Sequence, residues 1–170
     1  MKRISVFMVI VLVFLALASL AASTTPNLRN FVAPLSGDEE VSARDTNARG
    51  NAIFILDKDG NALDYKLIVA NIENVFAAHI HCGAAGVNGP VGVTLYMGSP
   101  ASGHLDGIIA RGTITAPNPG NACGWEDFDD VLFAMQSGNT YVNVHTNDGI
   151  DPPNTGAGDF PGGEIRGQIR

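Results

Sequence analysis

The stretch GNAIFILDKDGNALDYKLIVANI, residues 50–72, constrains this chain more than any other. Ala52, Phe54 and Leu56 alternate with Ile53 and Ile55, the run DKDGN interrupts, and Leu63, Tyr65, Leu67 and Val69 resume the alternation. A period of two sends successive side chains to opposite faces, so the stretch predicts a β-hairpin. The pattern recurs in NFVAPL (30–35), NVFAAHIHC (74–82), VGVTLYMG (91–98), GIIARGTIT (107–115), NTYVNVHTN (139–147) and the terminal EIRGQIR. About eight apolar runs at roughly 10-residue spacing, separated by Gly, Asn, Asp and Pro, predict an all-β domain. The expected architecture is an antiparallel, Greek-key-like β-sandwich or barrel.

One segment breaks the two-residue period. In WEDFDDVLFAMQSGN, Phe128, Val131, Leu132 and Met135 fall on one face of a helix, expected at about 128–137. Glu126, Asp127, Asp129 and Asp130 lie at its start, where the helix dipole favours negative charge, and Gly138 is a natural stop. The apolar stripe reads as a cover for the core.

The first residues, MKRISVFMVIVLVFLALASLAAS, have a basic start, an apolar stretch and a small-residue end. That is the layout of a secretory signal peptide, with cleavage expected near Ala21. The apolar run is almost long enough for a membrane anchor, which needs roughly 20 residues. The small-residue end and the lack of charge just after it favour cleavage. Residues 22–29 then read as a flexible leader and 30–170 as one domain. No membrane span is expected after cleavage.

Loss of Lys2 and Arg3 with the signal takes the net charge from −7 to −9. An acidic surface repels phosphate backbones and argues against a nucleic-acid partner. Two cysteines, Cys82 and Cys123, are the whole complement. In an oxidising compartment such a pair is expected as a disulfide, which the chain-entropy model values at about 4 kcal/mol. A rival reading makes Cys82 a metal ligand, but strand alternation points it away from His79 and His81.

Those two histidines are the sharpest chemical signal. Residues i and i+2 of a strand share a face, so both rings can turn toward one ion. On NTYVNVHTN, Tyr141, Asn143 and His145 share a face and Val142 and Val144 take the other. If the two strands meet, His79, His81 and His145 form a three-imidazole site suited to zinc or copper, with an open position for water or a fourth ligand. Asp148 or Asp151 is a candidate fourth ligand, and Asn143 or Tyr141 a candidate orienting partner. The competing reading is that the histidines are hydrogen-bonded fixtures of the sheet. His104, in SPASGHLD, reads as an exposed loop residue.

Other chemistry finds less support. Asp148, Asp151, Asp159 and Glu164 are a conceivable calcium set without recognisable spacing. DKDGN resembles the start of a calcium loop but lacks its later ligands and the glutamate at the twelfth position, so it reads as a plain turn. No nucleophile elbow or phosphate-cradling loop is present, so the reading leans toward a non-enzymatic protein.

The segments FVAPLSGDEEV, ARGNAIFILDKDGNALDYKLIVANIENVFAAHIHCGAAGVNGPVGVTLY, GNTYVNVHTNDG and FPGGEIRGQI occur in this order. Together they resemble the CHRD family, whose domains are repeated in chordin and occur singly in many secreted microbial proteins. The resemblance covers nearly all of residues 30–169 and implies an extracellular, mainly β module. The cysteine-rich modules credited with growth-factor binding in chordin have no counterpart here, so that activity is not carried over. The chain departs from the family in the acidic GDEEV and in its cysteine pair. Its strand HxH is also similar to that of copper–zinc superoxide dismutase, but that two-metal site needs six histidines and this chain has 4. The expectation is therefore a secreted binding or structural module with an extracellular protein or glycan partner. The alternative is a copper- or zinc-binding protein acting through His79, His81 and His145.

Overall fold

A computed structural model describes residues 29–170. The expected signal peptide and nearly all of the leader lie outside the described residues. Eight strands and one α-helix follow in order: β1 (Asn30–Ser36), β2 (Arg49–Leu56), β3 (Leu63–Glu73), β4 (Val75–Cys82), β5 (Val91–Met97), β6 (His104–Ile114), α1 (Phe128–Gln136), β7 (Thr140–Thr146) and β8 (Ile165–Gln168). All strand pairings are antiparallel, in one sheet ordered β5-β4-β7-β8-β1-β2-β3-β6. The sheet curls into a nearly closed barrel. Of the two expected all-β forms, the barrel is the one this chain adopts.

Strand alternation produces the interior. Phe31, Ala33 and Leu35 of β1, Ala52, Phe54 and Leu56 of β2, Leu67 of β3, Ile80 of β4, Val142 and Val144 of β7 and Ile165 of β8 belong to one buried apolar cluster. At the DKDGN turn, Asp57 Oδ1 accepts from the amides of Asn61 (2.7 Å) and Ala62 (3.3 Å). That carboxylate is consumed by the turn, as the plain-turn reading requires. Helix α1 adds Phe128, Val131 and Met135 to the core. Its N-terminus is capped by Asp127, whose Oδ1 accepts from Asp130 N at 3.2 Å. Gly138, at φ 67°, ends it in the left-handed region.

Two ends of the sheet need protection. Tyr65 Oη donates to Leu95 O (2.7 Å) and ties β3 to β5 across the opening. Asn118 then occupies the free edge of β5: its amide donates to Gly92 O and its Oδ1 accepts from Thr94 N. Strand β6 begins at His104, three residues earlier than its alternation suggested, and His104 is exposed there as expected. Among the described residues no helix is long and apolar enough to cross a membrane.

An antiparallel sheet commonly leaves its outer face wet. Strand β7 does not, because every residue of it is buried. Its outer face lies under three loops, residues 37–48, 83–90 and 147–164. Asn88 Nδ2 donates to Val41 O (3.1 Å) and Arg44 Nε donates to Gly163 O (3.3 Å), which joins these loops to one another. The roofed patch, outside the barrel core, holds the histidines.

Candidate metal centre

Strands β4 and β7 are direct neighbours, in a register that sets Ala77 opposite His145, His79 opposite Asn143 and His81 opposite Tyr141. All these side chains project from the outer face, while Ala78, Ile80, Val142 and Val144 point into the core. The three rings come together with centroid separations of 5.0 Å (His79 to His145), 5.6 Å (His81 to His145) and 5.7 Å (His79 to His81). One nitrogen from each lies within 4.8 Å of the other two. His81 and His145 are buried and His79 is half-buried.

The remaining hydrogen bonds decide what these nitrogens can do. His81 Nδ1 lies 2.9 Å from Gly89 O, and His145 Nδ1 lies 3.0 Å from Pro161 O. A carbonyl only accepts, so each Nδ1 carries the proton and each Nε2 keeps a lone pair. His81 Nε2, His145 Nε2 and His79 Nδ1 are all buried and have no hydrogen-bond partner among the described residues. Imidazoles that bind metal typically pass their second N–H to a carbonyl in this way. Zinc–nitrogen bonds of 2.0–2.1 Å put tetrahedral ligands about 3.4 Å apart, so each ring need draw in by less than about 1 Å.

Protonation is arranged to match. Burial pushes His79 down to about 4, with nearby His81 adding to the effect. Burial likewise pushes His145 down to about 4, helped by His79 and opposed by the Pro161 carbonyl. His81 is lowered by burial, partly offset by Gly89 O and reinforced by Arg166. All three rings are therefore neutral at physiological pH, the form that coordinates a metal.

The support around His81 is layered. Tyr141 stacks on it at 4.8 Å and 11°, and the Arg166 guanidinium sits 3.5 Å over the Tyr141 ring. Arg166 is 1% exposed, and its N–H groups donate to Asn88 Oδ1, Ala84 O and Val87 O. Tyr141 Oη accepts from Gly89 N (3.0 Å) and donates to Gly89 O (3.2 Å). A side chain at Gly89 would overlap the Cys82 carbonyl, so only glycine brings this turn close enough. Cys82 and Cys123 form a disulfide beside the same turn, where Cys82 N also donates to Pro90 O (3.1 Å). Cys82 is thereby unavailable as a metal ligand.

Some expected roles fall elsewhere. Tyr141 orients His81 by stacking and through Gly89, and the direct bonds to the imidazoles come from backbone carbonyls. Asp148 caps its own loop at Ile150 N (2.8 Å), and neither it nor Asp151 joins the histidine group. The four loop acids do not gather into a calcium site. Glu164 is consumed by Thr46 (2.6 Å), Thr146 (2.7 Å) and Gly158 N (2.8 Å), and Asp159 Oδ2 by Thr155.

Sequence reasoning missed Glu40 and Arg166. Glu40 is 7% exposed and contacts Asn143. Burial raises its carboxyl to about 7, against the pull of Arg166, Arg44, the Val41 amide and Asn143. The available signal was the acidic GDEEV, noted only as a departure from the family pattern.

Fold and site together define a nearly closed antiparallel β-barrel with a disulfide and a roofed cluster of three histidines on its outer face. A family model for the CHRD domain matches residues 31–169, and the chain belongs to that family, whose domains are typically extracellular. Neither a curated protein nor a solved structure matches the chain.

Proposed function

We propose that this chain is an extracellular CHRD module that binds one copper or zinc ion through His79 Nδ1, His81 Nε2 and His145 Nε2. The observation that carries this reading is the convergence of three buried, partnerless nitrogens, two of them on rings whose other N–H is anchored to a backbone carbonyl. Leaving buried acceptors unpaired costs about 1–3 kcal/mol each, and a bound cation would satisfy all three together. Three neutral imidazoles suit both Zn²⁺ and copper and leave one coordination position open. Export through the N-terminal signal and a role toward a protein or glycan partner belong to the same proposal. Family membership and the disulfide support them.

The test is metal content and affinity of the purified protein, with His145→Ala as control and circular dichroism to follow the fold. Near-stoichiometric copper or zinc, weakened by more than about 100-fold in a folded His145→Ala variant, is the expected result. No metal above background, with His145→Ala merely less stable, would make the histidines structural and direct attention to protein and glycan partners.

A further inference from the structure

The three nitrogens are not the only partnerless polar atoms under the roof. Glu40 Oε1 and Asn143 Oδ1 are also buried without a hydrogen-bond partner among the described residues. Asn143 is opposite His79 in the β4–β7 register and two residues before His145 on the same face of β7. Glu40 lies against Asn143. Gly163 packs onto the pair, since a Cβ there would be 2.4 Å from Asn143 Nδ2, 2.5 Å from Asn143 Oδ1 and 2.5 Å from Glu40 Oε1. The two oxygens are therefore within about 5 Å of each other. Asn143 is the link between Glu40 and the histidine triad.

Buried oxygens without donors call for an explanation, because native structures satisfy nearly all such groups. The neighbouring cations do not supply one. Arg166 spends its N–H groups on Asn88, Ala84 and Val87 and lays its plane on Tyr141. Arg44 donates to Gly163 O and stacks over Phe160. The Val41 amide and the Asn143 side chain are the Glu40 carboxyl's nearest donors, yet Glu40 Oε1 and Asn143 Oδ1 remain without a partner among the described residues, and a ligand that brings its own hydrogens would complete both.

We propose that Glu40 and Asn143 form an acceptor pair that holds a protic ligand, water in the first instance, in the open coordination position of the triad's metal. The inference rests on the metal reading above. It makes Glu40 and Asn143 positioning residues that choose what the metal takes as its fourth ligand. A molecule offering a lone pair to the metal and a hydrogen to each of the two oxygens fits: water, or neutral hydrogen peroxide. An anion without hydrogens, such as azide, meets two acceptor oxygens and is disfavoured.

The experiment loads the full protein with Cu²⁺ and titrates azide in mildly alkaline buffer, following the azide-to-copper charge-transfer band. Glu40→Gln keeps the shape and exchanges an acceptor oxygen for an amide that donates. It is expected to bind azide about tenfold or more tightly than wild type, with copper stoichiometry unchanged. Asn143→Asp adds a second carboxylate and is expected to weaken azide by a similar factor. This variant carries the test if Glu40→Gln does not fold. Azide affinity within about twofold of wild type in a folded, copper-loaded variant would overturn the proposal and leave the metal site standing. Wild-type protein that takes up no copper or other metal would instead remove the metal reading, and this one with it.

Discussion

His79 and Ile80 are neighbours on β4, yet they belong to two different kinds of interior. Ile80 points into the barrel among Ala78, Val142, Val144 and other hydrocarbon side chains, and is fully buried. His79 points outward into a layer of His81, Tyr141, Asn143 and His145, roofed by loops instead of by a second sheet. The inner layer follows from hydrophobic burial alone, which is non-directional and scales with the apolar area removed from water. The outer layer costs free energy to assemble, because it buries a carboxylate, a guanidinium and several acceptors with no partner. The difference teaches where to look for function. A buried patch that stability does not explain is held in place by the stable patch behind it.

The largest expected effect separates the two layers. Ile80→Ala should destabilise the fold by about 2–5 kcal/mol, through lost contacts and a cavity, while protein that remains folded binds metal normally. His79→Ala, one residue away, should remove metal binding at a smaller cost in stability. Urea unfolding midpoints and metal titration on both variants would check this. If Ile80→Ala abolished metal binding in folded protein, or His79→Ala cost as much stability as Ile80→Ala, the two layers would not be separable.

An effect of a few kcal/mol is expected from pH, and it comes from the outer layer, since the hydrocarbon layer behind it has nothing to titrate. Unfolded histidine titrates near 6.5, whereas folded His79 and His145 hold out to about 4 and His81 is also lowered. Between about 6.5 and 4 the unfolded chain binds more protons, so the metal-free protein loses stability as pH falls through that window. Glu40 works the other way. Its folded carboxyl keeps its proton up to about 7 against an ordinary 4.5, so its contribution is lost as pH rises from 4.5 to 7. Three histidines outweigh one glutamate, and the stability maximum should fall near pH 6.5. Unfolding midpoints measured in steps from acid to neutral pH should show the acid side fall away. A flat profile would remove the electrostatic account of the outer layer.

The smallest effect sharpens the account of how the layer is held. Tyr141→Phe keeps the ring that stacks on His81 and removes only the hydroxyl that serves Gly89. A loss of about 1–2 kcal/mol with full metal stoichiometry is expected by thermal unfolding and metal analysis. Loss of metal would give the hydroxyl a larger role than positioning the turn.

Much of this was legible in the chain. The hairpin at 50–72, the helix beginning at Phe128 and the strand carrying HIH all announced themselves by periodicity. The periods of 2 and 3.6 are local properties of the backbone. The pairing of Cys82 with Cys123 followed from their number and the expected compartment. His145 was a conditional candidate, since its value depended on β7 lying beside β4. Glu40 and Arg166 gave no such signal. They lie 39 and 85 residues from His79 and His81 respectively, and an acidic loop residue usually faces water. The carbonyls of Gly89 and Pro161, which fix the proton on two of the histidines, belong to every residue alike and carry no side-chain pattern.

By itself, then, the sequence determined that this chain would form alternating strands with an apolar inner face, one short helix and a pair of histidines aimed the same way. Those outcomes rest on backbone periodicity and burial, which act within a few residues. Only the tertiary structure decided that β4 lies against β7 in the register that brings in His145. It alone set Glu40 against Asn143 and folded three loops over a face that a sheet ordinarily leaves to water. Those outcomes depend on contacts between distant segments, where one residue of slippage would turn every side chain to the other face.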